Sequence, residues 1–406
     1  QGGRRCYVVR MGDPVPPLAP RSVRLPQLSR LLPGYPAQFS PSPADRSSWS
    51  GAGHIFGLSD VSFLCLPDLP DAVAADQPPV EVPADPPPAP EQFVECSTGE
   101  IAPPRDIALR GIPEPRCDEQ GYADWAVAIH LVADMVSRQR REVQFVAAIP
   151  LPAEGSDAER NLFGYLVGGS APGPLGAALS NSPSGVATAF VQFVFPWVKS
   201  PGSAALPGQT EPGDGALTGV LARNALTRGS YRSAANLDLK DIFDFVPVLG
   251  REAWNSKAGE YTFPERVTLL GPTPSGLRVL SDVTTSLNES YRPASINRLV
   301  SAIVRAARRA GEDSTFEVSG EALWGQLRER LNSLLRGLFT AGALRGATAA
   351  EAFNVRCDRS TMSQRDLDTG RVIAVVQFEA TAPIDTISVV LAFQADQQVA
   401  VLSEGA

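Results

Sequence analysis

The chain has 406 residues, of which 43% are hydrophobic and 20% are charged, and its formal net charge at pH 7 is −8. This length can bury one large core or two smaller ones. The acidic balance argues against general affinity for nucleic acid. No apolar run reaches the roughly 20 residues that a membrane-spanning helix needs. We therefore expect a soluble protein that binds no nucleic acid and does not insert into a membrane.

The five cysteines are widely separated and include no CxxC pair. They are Cys6, Cys65, Cys96, Cys117 and Cys357. An odd number at this spacing fits neither a disulfide framework nor a zinc site. We interpret them as small buried hydrophobic residues in a reducing compartment, and we expect no metal and no cofactor.

Residues 1–50 alternate Pro, Ser, Gly and Arg with short apolar fragments, among them Tyr7, Val8 and Val9. Such a composition buries too little apolar surface to define a domain by itself. We therefore predict a partly flexible leader, or arm, that is ordered mainly by contact with something else.

The middle of the chain, residues 51–290, has the pattern of an α/β domain. A continuous apolar run at 57–67 predicts a buried strand, the apolar spacing over 122–141 predicts a helix, and 143–150 predicts a second buried strand. Strand, helix and strand in this order predict a parallel crossover, and so a mixed α/β fold with a central sheet flanked by helices. Two proline-rich segments are predicted to be surface insertions, 76–120 and 200–215.

Residues 291–406 predict a C-terminal domain of two long helices followed by strands. The first helix, 294–310, has an apolar face, and we expect its arginines to face outward: Arg298, Arg305, Arg308 and Arg309. The second begins near 319 and repeats leucines at a spacing of three and four. Strands are predicted at 354–358, 371–378 and 384–393. In the last, alternate residues share one face: Ile387, Val389, Leu391 and Phe393.

Several stretches, taken in order, resemble the contractile tail sheath family, which forms the outer cylinder of phage tails and contractile injection systems. The stretches are 58–67, 195–199, 219–223, 227–229, 291–299, 353–358, 366–372 and 382–383. Their shared order spans roughly residues 55 to 393. The leader, the proline tract and the 200–215 loop match no feature of the family.

The resemblance implies a structural protein with a sheath-type domain and extended terminal arms. Such subunits form hexameric rings in a helical stack around an inner tube protein, with baseplate and cap proteins at the ends, and shorten to drive the tube through an envelope. The arms add strands to neighbouring subunits. We expect the leader near Tyr7, Val8 and Val9 and the closing strand at Ile387, Val389, Leu391 and Phe393 to serve as arms. Assembly is expected in the bacterial cytoplasm, as part of a phage tail-like particle.

The same resemblance predicts that the C-terminal domain lies nearest the inner tube. We hypothesise that Arg328, Arg330 and Arg336 hold acidic groups of the tube, and the alternative is that they form a solvated helix face. A second role within the family is a sheath-like subunit specialised for the baseplate-proximal end.

The rival class is an enzyme, namely a hydrolase that uses a carboxylate pair. His54 and His130 are the only histidines, and we interpret His130 as a core or rim residue of its helix. Three acidic residues are spaced like helix neighbours and are interpreted as a solvated acidic face: Asp238, Asp241 and Asp244. The sequence therefore favours a structural role over an enzyme.

Overall fold

The computed structural model describes most of the chain. The described residues are 3, 5–12, 15, 19–35, 41–77, 111–168, 189–258, 261–286, 288–314, 317, 319–381, 387–394 and 397–402. The strands are β1 Phe63–Cys65, β2 Arg116–Cys117, β3 Gln144–Ala148, β4 Leu151–Pro152, β5 Val191–Phe195, β6 Trp197–Lys199, β7 Asp244–Val246, β8 Lys257–Ala258, β9 Tyr261–Thr262, β10 Thr268–Thr273, β11 Gly276–Val279, β12 Phe353–Arg356, β13 Val372–Phe378, β14 Ile387–Gln394 and β15 Gln397–Leu402.

Four long helices accompany these strands. They are α1 Glu119–Gln139, α2 Gly213–Thr227, α3 Ala294–Glu312 and α4 Glu321–Thr340. Shorter helices lie at Arg21–Arg24, Leu28–Leu31, Leu69–Val73, Asp157–Arg160, Leu162–Val167, Arg251–Trp254, Ala349–Ala352 and Gln364–Asp368. None of the described helices is both long enough and apolar enough to cross a bilayer.

A five-stranded sheet has the strand order β1-β3-β5-β10-β11. β1, β3, β5 and β10 are parallel, and β11 is antiparallel to β10. β3 is buried along its whole length, because Phe145 packs into the core beneath α1 while Val146 packs into the core beneath α2. Burial on both faces explains the continuous apolar run in its sequence. The predicted mixed α/β fold and its parallel crossover are confirmed.

The end of the chain forms a second, antiparallel sheet in the order β12-β13-β14-β15. Along β13, buried residues alternate with half-buried ones, as expected for a sheet with one face on a core. Leucines of α4 and apolar residues of α3 complete that core. The helices and the strands predicted at 354–358 and 371–378 are confirmed, while residues 384–386 of the third predicted strand lie outside the described residues.

Part of the predicted leader belongs to the main core. Leu28 and Leu32 are fully buried in the cluster that contains the α1 side chains. The Arg24 guanidinium is also buried, and it donates to the backbone oxygens of Asp71 and of Ala74, the latter at 2.8 Å. Residues 20–35, which the prediction assigned to the leader, therefore pack against this core through Leu28, Leu32 and Arg24.

Candidate assembly surfaces

The leader contains an exposed apolar segment, Tyr7 to Val9. Tyr7, Val8 and Val9 are 47%, 87% and 43% exposed. None of the three forms a backbone–backbone hydrogen bond with another described residue. The segment is tied to its own chain by side chains: the Tyr7 hydroxyl donates to Asp60 Oδ2 at 3.0 Å and Arg5 Nη1 donates to the same oxygen at 3.1 Å. The leader thus presents unpaired backbone and apolar side chains at the surface, which is what strand addition requires.

The closing strand lies inside the second sheet of its own chain. The register pairs Ile387 with Phe378, Val389 with Val376, Leu391 with Ala374, and Phe393 with Val372. These β13 partners are the buried residues of that strand. The four residues predicted to form an arm are therefore placed opposite the buried positions of β13, in an intramolecular pairing.

The edges of the second sheet are β12 and β15. In β12, Phe353 and Val355 are buried, whereas Asn354 and Arg356 are exposed. Among the described residues, no strand pairs with the outer edge of β12. An unpaired edge of this kind can accept a strand from another chain.

The three arginines proposed to contact a tube are exposed on α4, away from its buried leucines. They do not form a single patch, because the helical pitch turns Arg330 about 160° from Arg328. Arg330 lies toward α3, where Nη1 is 3.7 Å from a carboxylate oxygen of Asp313. Arg328 and Arg336 form no ion pair with a described residue. Two of the three candidates are thus available to a partner, and the third is partly engaged.

The arginines of α3 contradict the prediction that they face outward. Arg298 is buried, and its Nη2 lies 2.6 Å from Oδ2 of the equally buried Asp282. Asp282 also accepts hydrogen bonds from the Ala234 N–H at 2.7 Å and from Gln192 Nε2 at 3.0 Å. Burial opposes ionisation of Asp282, but the charge and hydrogen bonds of Arg298 hold its pKa below the ordinary value. The ion pair fixes α3 to the segment that follows the central sheet.

A second buried ion cluster lies about two to three turns further along α3. The Glu142 side chain is 1% exposed, and its Oε1 accepts from Arg140 Nε at 2.7 Å and from Arg308 Nη1. Arg305 donates from Nη1 to Ser62 Oγ at 2.6 Å and from Nη2 to the Val61 oxygen at 2.8 Å. The outward prediction is therefore wrong for Arg298, Arg305 and Arg308, and Arg309 alone is exposed. Their spacing of seven and then three residues, which places them on one helix stripe, was the available signal.

The residues considered for catalysis do not converge. His54 and His130 are both exposed, and His130 is not the core or rim residue that we expected. The three acidic residues do not lie on a helix: Asp238 pairs with Arg278 at 2.9 Å, and Asp244 lies in β7, 3.6 Å from Lys199 Nζ. The described residues contain no group of three or more His, Cys, Asp or Glu that could hold a metal ion.

The cysteines within the described residues are unpaired. Cys117 and Cys357 are buried, Cys65 is half-buried and Cys6 is exposed, and Cys96 lies outside the described residues. Burial raises the pKa of the Cys357 thiol to about 11, and it raises the pKa of Cys65 and Cys117 further. Cys6 on the leader is therefore the accessible thiol of this set.

Neither a known protein family nor a curated protein matches the sequence of the chain. Solved structures do match it. The PVC sheath complex of an extracellular contractile injection system in its contracted state is 22% identical with a TM-score of 0.49, and the match covers 63% of this chain and 65% of that one. The contracted helical sheath of the anti-feeding prophage is 23% identical with a TM-score of 0.48, and the match covers 67% of this chain and 66% of that one.

A sheath tail protein from Listeria innocua matches with 13% identity and a TM-score of 0.41, over 70% of this chain and 61% of that one. In all three comparisons the chain spans less than two thirds of the length of the protein it matches. In fold, the chain is similar to these tail sheath proteins.

Proposed function

We propose that the chain is a structural sheath subunit of a contractile injection system or phage tail. It polymerises into stacked hexameric rings around an inner tube and shortens to drive the tube through a target envelope. One observation carries the proposal: the leader holds an apolar segment, Tyr7–Val9, that is exposed and has no backbone partner within the described chain. The ordered series of sheath-like stretches between residues 55 and 393 supports it.

The closing strands provide the second connection between subunits. β14 and β15 pair in sequence with β13, which gives them a defined register. If two copies exchanged these strands, β14 of one copy would pair with β13 of the other in the same register. The exchange would therefore link two subunits through strand pairs that the single chain already forms. Contraction then repacks whole subunits while the arms keep them connected.

The exposed side of α4 faces the inner tube in this proposal. Arg328 and Arg336 meet acidic groups of the tube protein, and Arg330 remains near Asp313. Baseplate and cap proteins contact the two ends of the stack. The particle is assembled in the bacterial cytoplasm and acts as a phage tail-like assembly.

Negative-stain electron microscopy of the purified full chain tests the proposal. We expect cylinders or stacked rings at micromolar concentration. A matched variant lacks residues 1–12, which removes no side chain that is buried among the described residues. This variant should remain folded and lose the cylinders. Single rings without stacks would indicate the baseplate-proximal subunit instead. A monomer that persists at every concentration, with or without tube protein, would overturn the sheath role.

A further inference from the structure

The buried arginines of the described residues differ in their counter-charges. Arg140 and Arg298 each pair with a buried carboxylate, at 2.7 and 2.6 Å, and Arg24 lies 3.4 Å from Asp76. The fourth, Arg266, is 5% exposed and forms no ion pair with a described residue. Because burial of a charge without a counter-charge is costly, Arg266 would be stabilised by an anion.

The Arg266 guanidinium is held at one nitrogen and on one face. Nη1 donates to the Ser286 backbone oxygen, and the guanidinium carbon lies 3.5 Å from the centre of the Tyr261 ring in β9. Nε and Nη2 are also buried, but they have no hydrogen-bond partner among the described residues. No other described residue has two buried side-chain nitrogens without a partner. The unsatisfied part of Arg266 is therefore confined to these two neighbouring nitrogens.

The two free nitrogens form the fork with which arginine binds oxyanions. Nε and Nη2 lie on the same edge of the planar guanidinium, and each directs an N–H group outward from that edge. Carboxylates and phosphates accept two parallel hydrogen bonds from such a fork, whereas a one-atom anion such as chloride cannot. The geometry thus selects an anion with at least two oxygens.

A second guanidinium lies near Arg266. Arg292 Nη1 is 3.9 Å from Glu265 Oε1, and its Nη2 is 3.8 Å from Glu289 Oε1, so both contacts exceed hydrogen-bond distance. The other oxygen of Glu265 is engaged, since it accepts from the N–H of Thr262 at 2.7 Å and from its hydroxyl at 2.9 Å. Burial lowers the pKa of Arg266, and the charge of Arg292 also lowers it. An anion would offset the repulsion between the two cations.

We propose that Arg266 and Arg292 form a binding site for a small oxyanion, a phosphate or a carboxylate, whose oxygens accept from Nε and Nη2 of Arg266. The site lies where the residues before β10 meet the segment 286–292 that leads into α3. Because the Arg266 side chain is enclosed, the site suits a small free anion and not a broad charged surface. The proposal is independent of the sheath function.

Titration calorimetry of the full chain with sodium phosphate and with sodium acetate tests the site. Sodium chloride holds the ionic strength constant in every titration, so that general screening does not change. We expect saturable binding of a single phosphate or acetate per chain. If stacking on Tyr261 alone offset the charge of Arg266, neither anion would bind saturably, and the site would be overturned.

Three variants separate the fork from the charge. Arg266→Lys keeps the charge but removes the fork, and we expect it to bind the anion at least about tenfold more weakly. Arg292→Gln should weaken binding about threefold, because it removes the second charge from a half-buried side chain that folding does not require. Arg309→Lys, at an exposed position, is the matched control and should bind like the parent chain.

Thermal unfolding without added oxyanion verifies that each variant is folded before its affinity is compared. Equal affinities of the parent chain and Arg266→Lys would overturn the site. If Arg266→Lys does not fold, Arg292→Gln decides the matter, and an affinity equal to that of the parent chain would overturn the site in the same way. Cylinder formation is scored separately, so either result leaves the sheath function as proposed.

Discussion

Glu142 is a buried carboxylate at the contact between α3 and the central sheet. It accepts hydrogen bonds from Arg140 and Arg308, and its side chain is 1% exposed. We predict that Glu142→Gln lowers the free energy of unfolding by about 3–5 kcal/mol, because removal of one member of a buried ion cluster leaves uncompensated charge. Urea unfolding at neutral pH measures the loss.

An exposed ion pair in the same domain serves as the control. Asp134 and Arg138 lie one turn apart on α1, with 36% and 70% of their side chains exposed. Asp134→Asn should change the free energy of unfolding by no more than about 0.5 kcal/mol. If the two variants were equally stable, the buried Glu142 cluster would contribute no more to the free energy of unfolding than an exposed ion pair does.

Asp214, near the start of α2, gives a prediction for pH. It is 1% exposed, its Oδ1 accepts from the Gly215 N–H at 2.9 Å, and its Oδ2 has no hydrogen-bond partner among the described residues. Burial raises its pKa from 3.8 to about 7. Between these values the folded state holds a proton that the unfolded state has lost, so the free energy of unfolding falls as pH rises.

The fall is about 4 kcal/mol between pH 4 and pH 7, from about 1.4 kcal/mol for each pKa unit. We predict that Asp214→Asn removes this part of the pH dependence and is more stable than the parent chain above pH 7. Chemical unfolding of both proteins from pH 4.5 to pH 8 measures the difference. Parallel stability curves would show that Asp214 ionises normally.

At the scale of elements, α3 shows how far the sequence could predict the fold. Its apolar periodicity defined the helix and the face that packs on the second sheet, because that information is local. The opposite stripe was predicted to face solvent, since the partners of Arg298, Arg305 and Arg308 lie elsewhere in the chain. Arg305 bonds Ser62, which is 243 residues away. Arginine on a helix is usually solvated, so the shared stripe by itself did not show that these side chains are engaged in tertiary contacts.

The leader, too, was predicted from the sequence only in part. The leader was predicted as an arm from its composition, and within it Tyr7, Val8 and Val9 are exposed whereas Leu28 and Leu32 are buried. Leu28 and Leu32 were missed because two buried leucines in a proline-rich segment produce no periodic pattern over the 11 or more residues that such a pattern needs.

The closing strands give an element-scale prediction. Deletion of residues 384–406 removes β14 and β15, and we expect folded subunits that no longer form long cylinders. Intrinsic tryptophan fluorescence, to which Trp324 in the core of the second sheet contributes, monitors folding, and electron microscopy monitors assembly. Deletion of residues 403–406 leaves both strands in place and should assemble normally. A truncation at 384 that unfolds, or one that still forms normal cylinders, would contradict the role of these strands as connectors.

At the scale of the whole molecule, the two sheets are joined through α3. Its apolar face completes the core of the second sheet, while its arginine stripe contacts Asp282 and Glu142, which flank strands of the five-stranded sheet. Buried ion pairs require close geometry, because any separation leaves charge without a partner. The two sheets are therefore expected to move as one body, and the leader and closing strands are then the parts of the subunit that can change partners.

The outer surface of α4 is where this body would meet the inner tube. We predict that the combined change Arg328→Glu, Arg330→Glu and Arg336→Glu weakens binding to the tube protein roughly tenfold at low salt, since each exposed ion pair contributes about 0.2–1 kcal/mol. Arg330→Glu alone should have little effect, because Arg330 lies beside Asp313. The effect should shrink as salt increases and screens exposed charges.

A control with the same change in net charge reverses three other exposed arginines, Arg309, Arg345 and Arg365. Co-sedimentation of preformed tubes with each variant measures binding, and circular dichroism confirms that the variants are folded. If the control lowers binding as much as the α4 variant, the effect comes from net charge and not from a tube-facing surface. If neither changes binding, the α4 arginines are a solvated helix face, and the tube is held by other residues.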